Sequence, residues 1–316
     1  MKTWIEPYLL RFNQSLMTAA GTFTHREGFI LLVEDEAGNV GRGDAAPLPG
    51  FSKERPAEVR LALERWVPDQ PFAGPPSAAH AVEQALLHLQ ARAADTSMAA
   101  ILSEGHADHV PVNRLVRDPS EAAQAVMEGF GTVKFKVGHR VPVSREIEAV
   151  MAIRDAIGSA VALRLDANAS WTLAQAREVL LALRDCNIEY VEEPVRDSDL
   201  PSMASLRDLA PIAADESVRT AGDLEQVIDA GAADVVVIKP MLVGGPRTAR
   251  RLIRRSVKAG LPAVVTTSLE SVVGRTAALH LAASVPGLPA AGLDTGRLLA
   301  DDLGPDLSIV RGEAWL

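Results

Sequence analysis

The chain has 316 residues, 47% of them hydrophobic, and a formal net charge of −9. That is enough apolar material for one large or two ordinary domains, and the acidic balance excludes nucleic acid or an anionic membrane surface as the main partner, leaving a small molecule. A single cysteine, Cys186, excludes an intramolecular disulfide and any cysteine-based metal cluster.

The opening MKTWIEPYLLRFNQ interrupts each apolar stretch with polar residues, so it lacks the continuous core of a secretory signal. No run of about 18 apolar residues follows that would span a bilayer. A cytoplasmic location is expected. Two β-like segments, Trp4–Phe12 and Gly28–Glu34, lead into the glycine-rich EAGNVGRGD, which reads as a hairpin turn and return strand. Helical stretches follow over Glu54–Trp66 and Ser77–Asp95, with Ala81, Ala85, Leu89 and Leu86 on one face of the second. Residues 1–108 therefore read as an α+β unit, to which the C-terminal segment 297–316 is expected to return.

From about Val110 the pattern becomes strict alternation. Short apolar runs at Val112–Val116, Thr132–Val137, Ala162–Leu165, Ile188–Val191, Ile212–Ala214, Asp234–Ile238 and Pro262–Thr267 are separated by helical segments such as Ser144–Ile157, Leu173–Arg184 and Pro246–Ala259. Seven such units and a last strand-like AAGLD predict an α/β fold: a modified (β/α)7β barrel of the TIM type over residues 109–296, with the α+β unit as a cap.

Five charged residues end consecutive strands: Lys136, Asp166, Glu192, Asp215 and Lys239, at steps of 30, 26, 23 and 24 residues. A strand, a helix and two loops need roughly that length, and a parallel βα array brings all its strand ends to one face. Barrel enzymes draw their reactive groups from that face. Three carboxylates with no histidine or cysteine among them form a hard oxygen site suited to Mg²⁺, so Asp166, Glu192 and Asp215 are the expected metal ligands. Glu193 and Glu216 compete for the same role. Neighbours on a strand point to opposite sides, so one of each pair faces the barrel axis, and the sequence leaves open which.

Lys136 and Lys239 come from strands on either side of the carboxylates and would flank the ion. A buried lysine near a dication and a second lysine, Lys134, has its ammonium disfavoured, which suits Lys136 to act as a base near neutral pH. Proton abstraction next to a carboxylate would give an enediolate, whose charge the metal and the second ammonium would hold.

Together Lys134-Phe135-Lys136, Asp166-Ala167-Asn168, Glu192-Glu193-Pro194, Asp215-Glu216-Ser217 and Lys239-Pro240 resemble the enolase superfamily, muconate-lactonising subgroup, whose sites pair a lysine base with Mg²⁺. REGFILLVEDEAGNVGRGDAAPLPGFSKE resembles that family's capping domain. Within the superfamily the chain is most similar to the o-succinylbenzoate synthases of menaquinone biosynthesis, through APLPGFSKE, Arg164, TTSLESVVG and GLDTGRLLADDL. The resemblance implies a syn dehydration of 2-succinyl-6-hydroxy-2,4-cyclohexadiene-1-carboxylate, with Lys136 as base, Lys239 as electrostatic partner and a carboxylate substrate. Arg164, Ser268 and Glu270 are expected to contact that substrate, although Glu270 is equally placed to cap a helix. The resemblance further implies that Met17–Thr24, rich in small residues, closes over the substrate. Asp44 departs from the family, which often carries Glu there. The alternatives are racemisation of N-succinyl amino acids, dipeptide epimerisation or a non-catalytic barrel. Dipeptide epimerases usually place an Asp-x-Asp motif near the last strand, where Gly292-Leu293-Asp294 offers one carboxylate. Nothing in the sequence points to a subunit number.

Overall fold

A computed structural model describes the backbone except at residues 19 and 20, and the side chains except between residues 16 and 21. In chain order the cap comprises β1 (Lys2–Thr18), β2 (Gly21–Glu34), β3 (Val40–Ala45), α1 (Pro56–Arg65), α2 (Pro76–Ala93) and α3 (Met98–Leu102). Its three strands form an antiparallel meander in the order β1-β2-β3. Helix α2 presses directly on β3 through two glycines. A Cβ at Gly43 would lie 1.9 Å from the Ala81 carbonyl oxygen and one at Gly41 2.0 Å from that of Ala85, so only glycine lets the helix approach this closely. Leu31, Val33, Ala45, Val59, Leu63, Ala81 and Ala85 fill the space between sheet and helices.

The barrel follows as β4 (His109–Pro111), β5 (Arg114–Val116), α4 (Pro119–Met127), β6 (Thr132–Lys136), α5 (Val143–Ile157), β7 (Ala162–Asp166), α6 (Leu173–Ala182), β8 (Ile188–Glu192), α7 (Leu200–Leu206), β9 (Ile212–Ala214), α8 (Ala221–Asp229), β10 (Val235–Ile238), α9 (Pro240–Val243), α10 (Pro246–Lys258), β11 (Ala263–Val265) and α11 (Val272–Ala283). Strands β5 to β11 form one parallel sheet in chain order. Its edges meet through AAGLD, as expected from the sequence. Ala291 bridges to Val112 and Gly292 to Thr266, with Ala291 N–H on the Pro111 carbonyl (2.7 Å) and Gly292 N–H on that of Val265 (2.8 Å).

Alternation sorts the side chains of each strand. Val133, Phe135, Leu163, Leu165, Val191, Ile212, Val236 and Ile238 point out into the shell of helices. Tyr190, Ala213, Val237 and Val264 point in and fill the barrel below the charged strand ends. Helix starts are fixed locally: Asp118, Thr172, Asp199, Thr220 and Ser271 each accept a hydrogen bond from a first-turn N–H. Helix α10 holds a basic stretch that overall composition averages away, with Arg251, Arg254 and Lys258 exposed.

The C-terminal segment divides between two neighbours. Leu299 bridges to Phe12, and Asp301 accepts two hydrogen bonds from Arg11, so this part docks on β1 of the cap. The last residues form β12 (Ser308–Val310) and β13 (Glu313–Trp315), and β13 pairs with β4 at the entry to the barrel, on the end away from the charged residues. No helix among the described residues is long and apolar enough to cross a membrane.

Candidate active site

Strand register brings the expected residues together. Lys136 lies opposite Asp166, and Asp166 opposite Glu192, on three adjacent strands. Lys134 is one inward step lower. Its Nζ lies 2.9 Å from Asp166 Oδ2 and 2.7 and 2.8 Å from the two Glu192 oxygens. Lys239, following β10, donates to Asp215 Oδ2. The two ends of the arc are therefore Lys136 on β6 and Lys239 after β10, with the carboxylates on the strands between.

The electrostatics of this arc follow from burial and charge together. Burial disfavours the Lys134 ammonium, but the Asp166 and Glu192 charges outweigh it and hold it well above the ordinary lysine value. Burial alone would raise Asp166, but Lys134 and Lys136 hold it far below the usual carboxylate range. Burial and the Asp166 charge push Glu192 upwards against the pull of Lys134. The sequence suggested a buried Lys136; its side chain is instead 48% exposed at the mouth of the site, and Lys134 is the buried lysine. Lys136 Nζ lies 3.4 Å from Asp166 Oδ2 and donates to Asn168 Oδ1 at 2.5 Å.

The competing carboxylates separate in space. Glu193 leaves the strand with φ +35°, a left-handed turn that swings its side chain behind the arc. There its carboxylate accepts hydrogen bonds from the Asp215 N–H (2.8 Å), the Ser217 N–H (3.3 Å) and the Ser217 hydroxyl. Burial pushes it up to about 7. Glu193 thus holds the loop that carries Asp215, and Glu192 faces the axis. Glu216 accepts from Asn168 Nδ2 at 3.3 Å, and its second oxygen is buried without a partner among the described residues.

The three expected substrate contacts differ in their surroundings. Arg164 is fully buried, and its guanidinium donates to Glu189 (2.7 and 3.1 Å), Asn113 (3.1 Å) and the Ala290 carbonyl (2.6 Å). Those partners lie at the starts of their strands, so Arg164 braces the closed end of the barrel, one layer below Asp166, and does not reach the cleft. Ser268 and Glu270 flank Leu269, which has φ +62°. The Ser268 hydroxyl and Glu270 Oε1 are buried without hydrogen-bond partners among the described residues. Glu270 and the cap residue Asp44 both lie against Gly274, at the seam between cap and barrel, and burial and the Asp44 charge push Glu270 up to about 7. At that seam Asp44 accepts from the Tyr8 hydroxyl (2.8 Å), the Ser271 N–H (3.1 Å) and the Ser271 hydroxyl (2.6 Å). The segment Met17–Thr24, expected to close over substrate, has its centre outside the described residues.

Two contributors had no assigned role in the sequence reading. Phe51, from the cap loop, places its ring 5.4 Å from Lys239 Nζ. Asn168 bonds to Lys136, and its position two residues beyond the Asp166 strand end was the available signal.

The donor set fits a hard divalent cation: three buried carboxylate side chains on neighbouring strands, oxygen only, with positive charge required to offset them. As the side chains stand, no group of three or more His, Cys, Asp or Glu among the described residues surrounds a common point. Asp166 and Glu192 turn instead to Lys134, and Asp215 to Lys239.

Residues 118–315 match the family described as Enolase C-terminal domain-like, and residues 3–89 match the one described as MenC, N-terminal domain. The o-succinylbenzoate synthase of Thermobifida fusca is 42% identical over 204 residues, a match spanning 63% of this chain and 63% of that protein. A hydrophobic dipeptide epimerase of Enterococcus faecalis is 30% identical over 311 residues, covering 90% of this chain and 87% of that one. The crystal structure of the Enterococcus faecalis V583 dipeptide epimerase, complexed with Mg and the dipeptide L-Leu-L-Tyr, superposes with a TM-score of 0.90 at 28% identity, over 99% and 96% of the two chains. The chain belongs to the enolase superfamily.

Proposed function

We propose that the protein is an o-succinylbenzoate synthase, catalysing the syn dehydration of 2-succinyl-6-hydroxy-2,4-cyclohexadiene-1-carboxylate to 2-succinylbenzoate. The observation that carries the chemistry is the placement of Lys136 and Lys239 at opposite ends of the Asp166–Glu192–Asp215 arc. Asp166, Glu192 and Asp215 would hold Mg²⁺, which supplies Lewis-acid stabilisation of negative charge on a carboxylate oxygen. Lys136, as the free amine, takes the proton α to the substrate carboxylate, and the C–H electron pair moves into an enediolate. The Lys239 ammonium holds charge on the far side. The enediolate then collapses and expels the ring hydroxyl on the same face. Lys136 returns its proton to that oxygen, and water leaves with its ring carbon now part of an aromatic system. One base on one face serves both transfers.

Two lysines facing each other also suit a racemase. Against a dipeptide substrate stand two features of the last strand. A Cβ at Gly292 would lie 2.2 Å from Thr266 Oγ1, so this position leaves no room for a carboxylate side chain. Asp294 is turned to Arg114 (2.7 Å) and Arg297 (3.7 Å), with no ammonium-binding pair left at the strand end. The 42% identity to the Thermobifida fusca synthase and the match of residues 3–89 to the MenC N-terminal domain favour dehydration.

The test is an ultraviolet assay with the cyclohexadiene substrate, run beside N-succinyl amino acids and dipeptides, each with Mg²⁺ and with EDTA. Mg²⁺-dependent aromatisation that exceeds any racemisation by orders of magnitude is expected. Faster turnover of a succinyl amino acid or dipeptide would overturn the assignment, and undiminished rates in EDTA would remove the metal from it.

A further inference from the structure

Asn168 stands at a position a side chain rarely takes unless something holds it there. It follows the β7 strand end with φ +45°, and Ala169 after it has φ +57°, two consecutive left-handed residues. The Asn168 N–H reaches back to Asp166 Oδ1 at 3.1 Å, and the Ala169 N–H bonds the Glu193 carbonyl at 2.7 Å, so the turn is fastened to two strands of the arc. Asparagine tolerates this backbone region better than most residues, yet several residue types would satisfy the turn. The side chain shows what the turn is for. Its Oδ1 accepts from Lys136 Nζ at 2.5 Å, and its Nδ2 donates to Glu216 Oε1 at 3.3 Å.

That amide has one orientation only. An ammonium can only donate and a carboxylate can accept, so the oxygen must face Lys136 and the nitrogen must face Glu216. Glu216 is itself walled in, with its second oxygen buried and unpartnered among the described residues. Lys136 needs such a hold. Its side chain is 48% exposed, and beyond Asn168 its nearest charged neighbour is Asp166 at 3.4 Å, a longer contact than those of Lys134. A flexible four-carbon stem at a site mouth explores many rotamers unless a fixed acceptor selects one.

We propose that Asn168 is the positioning residue for Lys136: anchored by Glu216 and the left-handed turn, it holds the lysine nitrogen at the end of the carboxylate arc. The inference rests on Lys136 being the base, but its test does not depend on which reaction that base serves.

The experiment measures acylation of individual lysines by acetic anhydride, read by peptide mass spectrometry, in the full chain and in two variants. Asn168→Ala removes the acceptor. Asn168→Asp keeps the preference for a left-handed turn and offers Lys136 a charged acceptor. Circular dichroism and the unfolding midpoint check that both are folded. Acylation at Lys136 should rise about 3- to 10-fold in Asn168→Ala and fall below the parent rate in Asn168→Asp, with Lys239 unchanged in both. In the dehydration assay Asn168→Ala should lose about 10- to 100-fold in kcat with KM within about 3-fold, the loss expected of one charged hydrogen bond used in the chemical step. An unchanged Lys136 rate in folded Asn168→Ala overturns the proposal, as does a rise shared equally by Lys239, which would mean general loosening. Should Asn168→Ala fail to fold, the Asn168→Asp rate decides: no slowing at Lys136 overturns it. If the parent does not dehydrate the cyclohexadiene, that result counts against the reaction, and the labelling still decides on Asn168.

Discussion

Replacing Glu193 by alanine separates a residue that holds the site from one that would hold the ion. Glu193 accepts hydrogen bonds from the Asp215 N–H, the Ser217 N–H and the Ser217 hydroxyl. Burial pushes its carboxyl up to about 7, and its three hydrogen bonds contribute about 1 kcal/mol each. Alanine also strands the buried Asp215 N–H, at about 1–3 kcal/mol more, for a total of about 4–6 kcal/mol against a typical stability of about 5–15 kcal/mol. Urea unfolding of Glu193→Ala should show that loss. With the Asp215 loop freed, Mg²⁺ affinity by calorimetry should weaken by about 10- to 100-fold, as for other groups that orient a ligand. Glu192→Gln should behave in the opposite sense. Lys134 keeps its contact with Asp166, so stability should move less than in Glu193→Ala, while Mg²⁺ binding should fall further. A Glu193→Ala protein within about 1 kcal/mol of the parent with unchanged Mg²⁺ affinity, or a Glu192→Gln protein that binds Mg²⁺ normally, would refute this division of labour.

Three further outcomes follow from the same geometry. Because Lys239 bonds Asp215 and acts through its charge, Lys239→Arg should retain at least about 10-fold more kcat than Lys239→Ala; equal rates would exclude an electrostatic role. Gly292→Ala should lose about 1–3 kcal/mol in urea unfolding from the clash with Thr266, part of it recovered by adding Thr266→Ala; an unperturbed Gly292→Ala would show that the last strand has room after all. His80 is fully buried with Nδ1 on the Asp44 carbonyl, and burial pushes it down to about 4. It stays neutral when folded while the unfolded chain binds a proton near 6.5, so its contribution is present above pH 6.5 and is lost as pH falls towards 4. Between pH 7 and 5 the parent should lose about 2 kcal/mol more than His80→Asn, and parallel pH profiles would contradict it.

The barrel was legible because each inner strand is a short apolar run closed by a charged residue, and burial on both faces leaves little else such a run can be. AAGLD could be read as the closing strand for the same reason. The cap was legible only in part. Strands β1 and β2 run on to Thr18 and back from Gly21, well beyond Trp4–Phe12 and Gly28–Glu34, because much of this hairpin is exposed and its polar residues hide the period of two. The three-residue strands β12 and β13 are too short to carry any pattern. At the site, strand alternation reduced Glu192 and Glu193 to a choice, but what decides it is a positive φ at Glu193, a tertiary outcome with no local marker. Arg164 drew its expected role from the resemblance, and nothing in the sequence says which layer of the barrel its long side chain reaches.

The seam between cap and barrel has a consequence for how the protein comes into being. Asp44 meets Ser271 across 227 positions of sequence, and Arg11 meets Asp301 across 290. A chain leaving the ribosome at about 5–20 residues per second would have made its cap strands many seconds before the partners that fix them existed. The barrel-facing side of the hairpin must wait until Asp301 has been added. Contacts this far apart in sequence form late, so the seam between cap and barrel should be among the last parts of the fold to set. Losing Leu299 and Asp301 would then remove part of the surface against which the first strands made must dock.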